Sequence, residues 1–476
     1  MWGIKWRPLI TQTISSLKRA IIKDPKNLES LCNLGLLQNQ LGRLKDAAKT
    51  FSKAVNIDPN NTILLSNLAG IYQKLDRLDK AARAYQKTID IDPTNAQFHF
   101  NLGNLMAQAQ NIDRARILFE RAIELDQGHF LSLKHLGNLF TTCGDFETAT
   151  KILKMAMHLK PTNLEIKLEY AGAAARNKMA KESIAIYEKI NTSEPPSIDI
   201  LGELAFAHIA NHDPKNALKI IEKGLTIFSG WTRGLAYKSI ALNELELYEE
   251  AQDILNLDRF LYISEPETPH KYTNLEAFNL ALIKHIKDHS SLRYNLTNRS
   301  LSKAKCTDTL LSRNQGPFAD FKHLILNAYK NYLKIIAVEE GHPFVTAQPN
   351  KPNFDVWANV MDEKGFQDVH FHPTSWATGV YYPSASGVMD IVDENNNEDK
   401  YGGWLELGAN YSLLPSTTKP KLRYLQPKSG LLVLFPSYVG HRTIPCHGQG
   451  ERISIAFDIS PEAHDFRPLT NLNSSP

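Results

Sequence analysis

Cysteine is scarce in this 476-residue chain: Cys32, Cys143, Cys306 and Cys446 stand far apart, and no Cys-x-x-Cys pair occurs. Such spacing offers no disulfide framework, and the four residues read as free thiols of a reducing, cytoplasmic compartment. Long hydrophobic runs are missing too. No apolar stretch approaches the roughly 18 residues that a membrane helix needs, so no membrane partner is expected. The opening segment MWGIKWRPLITQTISSLKRAIIKDP has basic residues but neither an uninterrupted apolar core nor a small-residue cleavage site. It therefore does not read as a signal peptide. Nor is there a surplus of one charge. Lys+Arg 54 against Asp+Glu 51 leaves a formal charge of +3, too balanced for nucleic acid to be the main partner. What remains is an ordinary 42% hydrophobic content on a chain of roughly three domain lengths.

Residues 1–262 are periodic. Pro25, Pro59, Pro93, Pro161 and Pro195 fall on a 34-residue grid, with Gln127 and Ser229 at the two vacant points. Small residues keep the same register at Gly35, Ala69, Gly103, Gly137, Ala171, Ala205 and Ser239. A second small series runs Ala47, Ala81, Ala115, Ala149, Ser183, Ala217 and Ala251, and a third includes Ala54, Ala122 and Ala156. Four residues after each member of the second series comes a bulky one: Phe51, Tyr85, Phe119, Leu153, Tyr187, Ile221 and Leu255. The physical reading is two antiparallel helices per unit. Small residues allow close approach, bulky ones fill the gap between units, and proline ends the second helix because it cannot continue the hydrogen-bond ladder. The pattern resembles the tetratricopeptide (TPR) repeat, about seven units of it. The segment before Pro25 reads as an extra amphipathic helix that caps the start, and the units from about Leu164 on are more degenerate. The resemblance implies a solenoid with a concave groove for a protein or peptide partner. Cys32, His99 and His135 read as packing residues.

The register stops near Phe260, at the proline-rich break Ser264–Pro269. Residues 263–350 read as a helical connection: a helix near Leu275–His285, a mostly irregular polar stretch over Asp288–Asn314, and a strongly periodic helix over Phe318–Val338. Gly341 and Pro343 end the last of these, which is expected to pack on the domain that follows.

From residue 351 to 476 the period changes to two. Short apolar runs at Phe354–Met361, Asp368–His372, Ala377–Tyr382, Gly387–Val392, Trp404–Leu407, Leu422–Leu425, Gly430–Phe435 and Arg452–Ile459 are separated by turn residues, most clearly over Asp393–Asp399. About eight short strands suggest two packed sheets or a jelly roll. The fold class is therefore an α-helical repeat solenoid followed by a β jelly roll.

Within this domain, His370 and His372 are one residue apart, so on a strand both imidazoles project from one face with Phe371 opposite. Imidazole is the commonest metal-binding side chain, and two on one face make half a metal site. His441, after the bend Pro436–Gly440, offers a third. Arg452 and Ser454 share a face of the last strand, where a bidentate guanidinium beside a hydroxyl suits a carboxylate. Trp357, Trp376 and Trp404 read as core residues, and His342, His447 and His464 as solvated loop positions.

Taken in order, the blocks His370–Pro373, Trp376–Tyr382, Gly403–Gly408, Leu432–Pro445 and Arg452–Asp458 resemble the 2-oxoglutarate/Fe(II)-dependent oxygenases over roughly residues 355–460. The resemblance implies Fe(II) as the metal, 2-oxoglutarate as cosubstrate, molecular oxygen as oxidant and hydroxylation as the reaction. It maps the distal ligand onto His441 and the usual His-x-Asp/Glu pair onto His370 and His372, so a histidine stands where the family has a carboxylate. Either three histidines hold the metal or a carboxylate comes from elsewhere, with Glu406, Asp368 and Asp390 as candidates. Arg452 and Ser454 match the clamp on the far carboxylate of the cosubstrate, and Tyr381 or Tyr382, with Tyr382 favoured, matches a hydroxyl donor to it. Two other classes fit the same residues: a TPR adaptor with an inert jelly roll, and a cupin-type three-histidine metalloenzyme that does not use 2-oxoglutarate.

Overall fold

The computed structural model describes residues 7–193, 197–294, 301–311, 316–385, 401–411, 413–414, 416, 418–445 and 451–461. They form two compact units, Met1–Tyr170 and Ala171–Pro476. No described helix is long and apolar enough to cross a membrane.

The repeat helices begin with the single helix Arg7–Lys23 and continue as helix pairs, the first Leu28–Gln40 with Leu44–Ile57 and the last Thr232–Glu244 with Tyr248–Leu255. Local chemistry explains the 34-residue spacing. Two residues after the grid prolines stand Asn27, Asn61, Asn95 and Asn163, whose side-chain oxygens accept backbone N–H groups at 2.8, 3.2, 3.0 and 2.9 Å. Each satisfies a donor that the first helical turn leaves orphaned. The turns inside the pairs also repeat. Residues 42, 76, 110, 144, 178, 212 and 246 all adopt positive φ, yet only Gly42 and Gly144 are glycines.

In the first compact unit, Ala47, Phe51, Ala54, Ala115, Phe119, Ala122, Ala149, Leu153 and Ala156 are fully or almost fully buried. The bulky series reaches the next unit, as its spacing suggests: the ring of Phe119 lies 5.8 Å between centroids from that of His135. It also packs on the small residue of its own pair. A Cβ added at Gly35 would lie 2.5 Å from the Phe51 ring, and one at Gly103 2.8 Å from the Phe119 ring. Helix contact at this range is what glycine permits.

In the second compact unit one apolar core runs from Ala175 to Ile459, so the last repeats share their interior with the sheet. Thr232 Oγ1 donates to the Ser375 carbonyl at 2.9 Å, and Tyr438 Oη donates to the Ile254 carbonyl at 2.8 Å. The repeat period continues past the compact-unit boundary because periodicity records how helices pair, not which core they join.

The strands are β1 (Tyr262–Ser264), β2 (Arg293–Tyr294), β3 (Leu301–Cys306), β4 (Pro352–His370), β5 (Ala377–Ser384), β6 (Leu405–Leu407), β7 (Arg423–Leu425), β8 (Leu432–Pro436), β9 (His441–Thr443) and β10 (Arg452–Pro461). They form one antiparallel sheet in the order β1-β8-β5-β10-β4-β9-β6-β7, with β3 also on β4 and β2 on β3. The sheet curls, as a jelly roll does, so that residues of β4, β5, β8, β9 and β10 line one cavity. Outside it, helix Pro317–Ile336 covers the opposite face of the central strands. Phe321 lies 5.5 Å from Tyr381 and 6.3 Å from Phe457 between ring centroids.

Several expectations need correction. The described residues of Asp288–Asn314 are mostly irregular, as expected, but two short strands stand among them. These are β2 and β3; the buried Leu301 and Ala304 of β3 pack on Met361 while its lysines stay outside, a pattern too polar to read as a strand. Phe354–Met361 and Asp368–His370 belong to a single strand, β4, and Phe371 and His372 follow its end. The run Gly387–Val392 and the loop Asp393–Asp399 lie outside the described residues. The helices Leu275–Lys287 and Pro317–Ile336 stand where periodicity put them.

The buried glycine contacts lead to an expected outcome. Gly103→Val drives a branched side chain into Phe119 and should cost about 1–3 kcal/mol, whereas Gly42→Ala meets no neighbour within 4 Å and strains only its own backbone. Urea unfolding of both variants, followed by far-ultraviolet circular dichroism, checks the difference.

Candidate metal centre and carboxylate cavity

The cluster begins with strand pairing. His370 ends β4 and lies directly opposite His441, the first residue of β9. Directly opposed residues on one face hold their Cβ atoms only about 5 Å apart, so two imidazoles from distant sequence converge. His372 follows two residues later on the same side, its backbone N–H held by the Ser437 carbonyl at 2.9 Å. Ring centroids lie 4.2 Å apart for His370 and His441, and 5.2 Å apart for each with His372. One ligand nitrogen from each ring falls within 4.8 Å of the others, and this trio is the only such cluster among the described residues. Gly440 makes the approach possible, because a Cβ there would collide with the Ala409 carbonyl oxygen. Phe371 points the other way, against Tyr237 of helix Thr232–Glu244 and against Tyr411.

Hydrogen bonds select one tautomer for each ring. His370 Nδ1 donates to the Asp368 carbonyl at 2.8 Å, and His441 Nδ1 donates to the Val439 carbonyl at 2.9 Å. His372 Nδ1 donates to Asp458, 2.7 and 2.9 Å from its two carboxylate oxygens. Every ring is thereby left with Nε2 as its lone-pair nitrogen. The Gln367 amide nitrogen donates to His370 Nε2 at 3.1 Å, whereas His372 Nε2 is buried with no hydrogen-bond partner. Burial, reinforced by the neighbouring His372, pushes the His370 pKa down to about 4, and burial drives that of His441 well below the ordinary value. Both rings are neutral, ligand-ready bases at neutral pH.

Beyond the imidazoles lies Arg452, 2% exposed, its guanidinium 5.1 Å above the Tyr382 ring. Its Nη1 lies 3.4 Å from the Met361 sulfur, it forms no ion pair among the described residues, and its Nε is buried without a hydrogen-bond partner, as is the Tyr382 hydroxyl. Ser454 is 4% exposed and lines the same cavity with Arg452, Tyr382 and all three histidines. A buried guanidinium with no carboxylate beside it is a costly arrangement that an anionic ligand relieves. Burial raises the Tyr382 pKa against the opposing charge of Arg452, so the hydroxyl keeps its proton as a donor. Tyr381 faces away and donates to Asn279 at 2.6 Å.

Other candidates fall elsewhere. Glu406 alternates with the cavity-lining Leu405, so it faces the other side and accepts from Arg442 at 2.7 and 2.9 Å. It is no ligand of this cluster. Asp368 contributes its carbonyl while its side chain is exposed; Asp390, His447, His464 and Cys446 lie outside the described residues. Trp357 is not simply core, since it stacks on His372 at 5.9 Å between centroids and lines the cavity. His342 is half-buried rather than solvated, accepting from Phe344 N–H as a helix cap at 3.1 Å. Sequence reasoning missed Asn359, Gln367 and Asp458. Only Asp458 carried a signal, its place on the Arg452–Ser454 face of one strand.

The helical repeats, the curled sheet and a three-histidine cluster define a repeat-bearing protein with a jelly-roll domain and a candidate metal centre. Comparison narrows this: residues 355–458 match the family described as "Putative 2OG-Fe(II) oxygenase", and residues 28–61, 72–110 and 96–129 match tetratricopeptide-repeat families. One chain thus carries TPR repeats and a domain of that oxygenase family. No curated protein matches the sequence. Among solved structures it is similar to YrrB, described as a TPR protein with an unusual peptide-binding site, at 19% identity over 40% of this chain and 98% of that one, with a TM-score of 0.38. It is also similar to PilF of Pseudomonas aeruginosa, at 17% identity over 44% and 96% of the two chains, with a TM-score of 0.39.

Two outcomes follow from the cluster. His441→Ala should no longer retain one divalent metal per chain after gel filtration, as read by elemental analysis. The metal-free chain should lose stability as pH falls from the ordinary histidine value of 6.5 toward about 4. In that window the unfolded chain binds protons that His370 and His441 refuse when folded, so stability rises with pH. Urea midpoints at pH 7.5 and pH 5 measure it.

Proposed function

We propose that this protein is an iron(II)- and 2-oxoglutarate-dependent oxygenase, a hydroxylase, whose repeats recruit its substrate or a partner protein. The observation that carries the reading is the buried Arg452 guanidinium, which shares a cavity with three lone-pair nitrogens. A metal-chelating dicarboxylate meets both needs at once. The orphaned Nε2 of His372, hydroxyl of Tyr382 and Nε of Arg452 are the fit that iron(II) and 2-oxoglutarate require.

His370, His372 and His441 would hold the metal through Nε2. Bound there, iron(II) supplies the redox centre at which oxygen is reduced as 2-oxoglutarate is decarboxylated to succinate and a substrate C–H bond is hydroxylated. The chain's own residues do the positioning. Arg452 and Ser454 grip the carboxylate far from the metal, and Tyr382 adds a hydroxyl donor to it. Trp357 and Phe435 wall the cavity with apolar surface that keeps water from the reacting atoms. The repeats suit a polypeptide as recruited partner, and we place the protein in the cytoplasm on the strength of its spaced, free thiols.

The cupin-type alternative leaves Arg452 without a purpose, and calorimetry separates the two. Under anaerobic conditions the iron(II)-loaded chain should bind 2-oxoglutarate with a visible charge-transfer band and, in air, release succinate. Arg452→Ala should weaken cosubstrate binding by about 2–5 kcal/mol while leaving metal content unchanged. Metal retention without any 2-oxoglutarate binding by the native chain would overturn the proposal.

A further inference from the structure

We propose that Asp458 is the positioning residue that supplies, through His372, the negative charge that the metal's own ligands lack. The inference rests on the oxygenase reading above for its charge count, and on geometry for the rest. Two of the three imidazoles are oriented by neutral backbone carbonyls, those of Asp368 and Val439. Only His372, the residue at the position where the oxygenase pattern has a carboxylate, is oriented by a carboxylate, with both oxygens of Asp458 within 2.9 Å of Nδ1. The pair is well shielded, with the two side chains 13% and 17% exposed. A carboxylate behind a metal-binding histidine fixes its tautomer and raises its donor strength.

Charge bookkeeping gives the same assignment. A divalent metal (+2), Arg452 (+1) and a dicarboxylate cosubstrate (−2) leave +1 in a water-poor cavity, and three neutral imidazoles do nothing to remove it. Asp458 brings the sum to zero, as a directly coordinating carboxylate would. Its place follows from the strand: Arg452, Ser454 and Asp458 are spaced by even steps on β10, so the cosubstrate clamp and the counter-charge are carried by one face. Cross-strand pairing sets Asp458 opposite Asp355 on β4 and Thr378 on β5, neither of them a cation. Among the described residues His372 is the one basic side chain in ion-pair contact with Asp458.

The test is titration of the metal-free chain with Co(II), followed by absorption, on the native protein, Asp458→Asn and Asp458→Glu. Asp458→Asn should bind Co(II) about 10–100-fold more weakly, and Asp458→Glu, which keeps the charge, should recover much of that loss. In the iron-loaded protein, Asp458→Asn should raise the Fe(III)/Fe(II) midpoint potential, because the ferric state loses the most from a missing anion. A merely structural role would weaken Co(II) and 2-oxoglutarate binding together; the charge role weakens Co(II) but does not weaken 2-oxoglutarate binding to the metal-loaded chain. In a His372→Asp background, where the side chain at 372 carries the charge itself and no imidazole relays that of Asp458, Asp458→Asn should weaken Co(II) binding far less than in the native chain. That arm remains readable should the single variant fail to fold. Unchanged Co(II) affinity in Asp458→Asn, or a loss in the His372→Asp background as large as in the native chain, overturns the assignment. If the native chain binds Co(II) in the Asp458-dependent way but never binds 2-oxoglutarate, the oxygenase reading falls and the positioning role of Asp458 stands.

Discussion

The site depends above all on the two-residue alternation of β10. This strand lies between β4 and β5, so both of its edges are hydrogen-bonded and both of its faces are covered. Its odd-numbered residues, Ile453, Ile455, Phe457 and Ile459, are all at most 2% exposed in the apolar core. Its even-numbered residues face the cavity side and include a guanidinium, a hydroxyl and a carboxylate. A slip of one residue would bury Arg452 in the apolar core and turn Ile453 toward the metal cluster, so the register is strongly specified. The apolar face holds the strand in place, and the polar face gains its precision from that.

The rest of the site is hung on neighbouring strands. β4 pairs with β10 over its first half and reaches β9 at its end, which brings His370 to His441. Phe371 anchors the segment between the two nearby histidines on the far side, against Tyr237 from the last repeat pair. The repeats nearest the sheet therefore act as a wall behind the histidine cluster as well as part of a solenoid. The buried hydrogen bonds from Thr232 and Tyr438 belong to the same wall.

Much of this was legible in the sequence, and where it was not there is a physical reason. The 34-residue grid marked the helix pairs because proline, glycine and alanine have few substitutes where backbones close or helices touch. The positive-φ turns kept the same grid but stayed hidden, since Asp76, Gln110, Lys178, His212 and Glu246 carry no glycine signature. Alternation placed Arg452 with Ser454 because both lie within one strand, and it placed His370 with His372 although β4 ends at His370. The meeting of His370 and Gln367 with His441 and Thr443 depends on β4–β9 pairing, which no local pattern announces. β3 was missed because Lys303 and Lys305 break its hydrophobic alternation, leaving only Leu301 and Ala304 as buried positions. Asp458 was visible as a residue, yet its partner His372 is 86 positions away.

The shared core of residues 171–476 has a consequence in terms of linkage. A ligand that binds only the folded cavity stabilises the whole cooperative body that forms the cavity, by an amount set by its concentration relative to its dissociation constant. Here that body includes the last repeats, whose Phe206, Ile221 and Tyr237 lie in one interior with Val433 and Phe457. Hydrogen exchange in helices remote from the cavity would therefore be coupled to occupancy by any ligand bound there. Those repeats are thermodynamic reporters of the site.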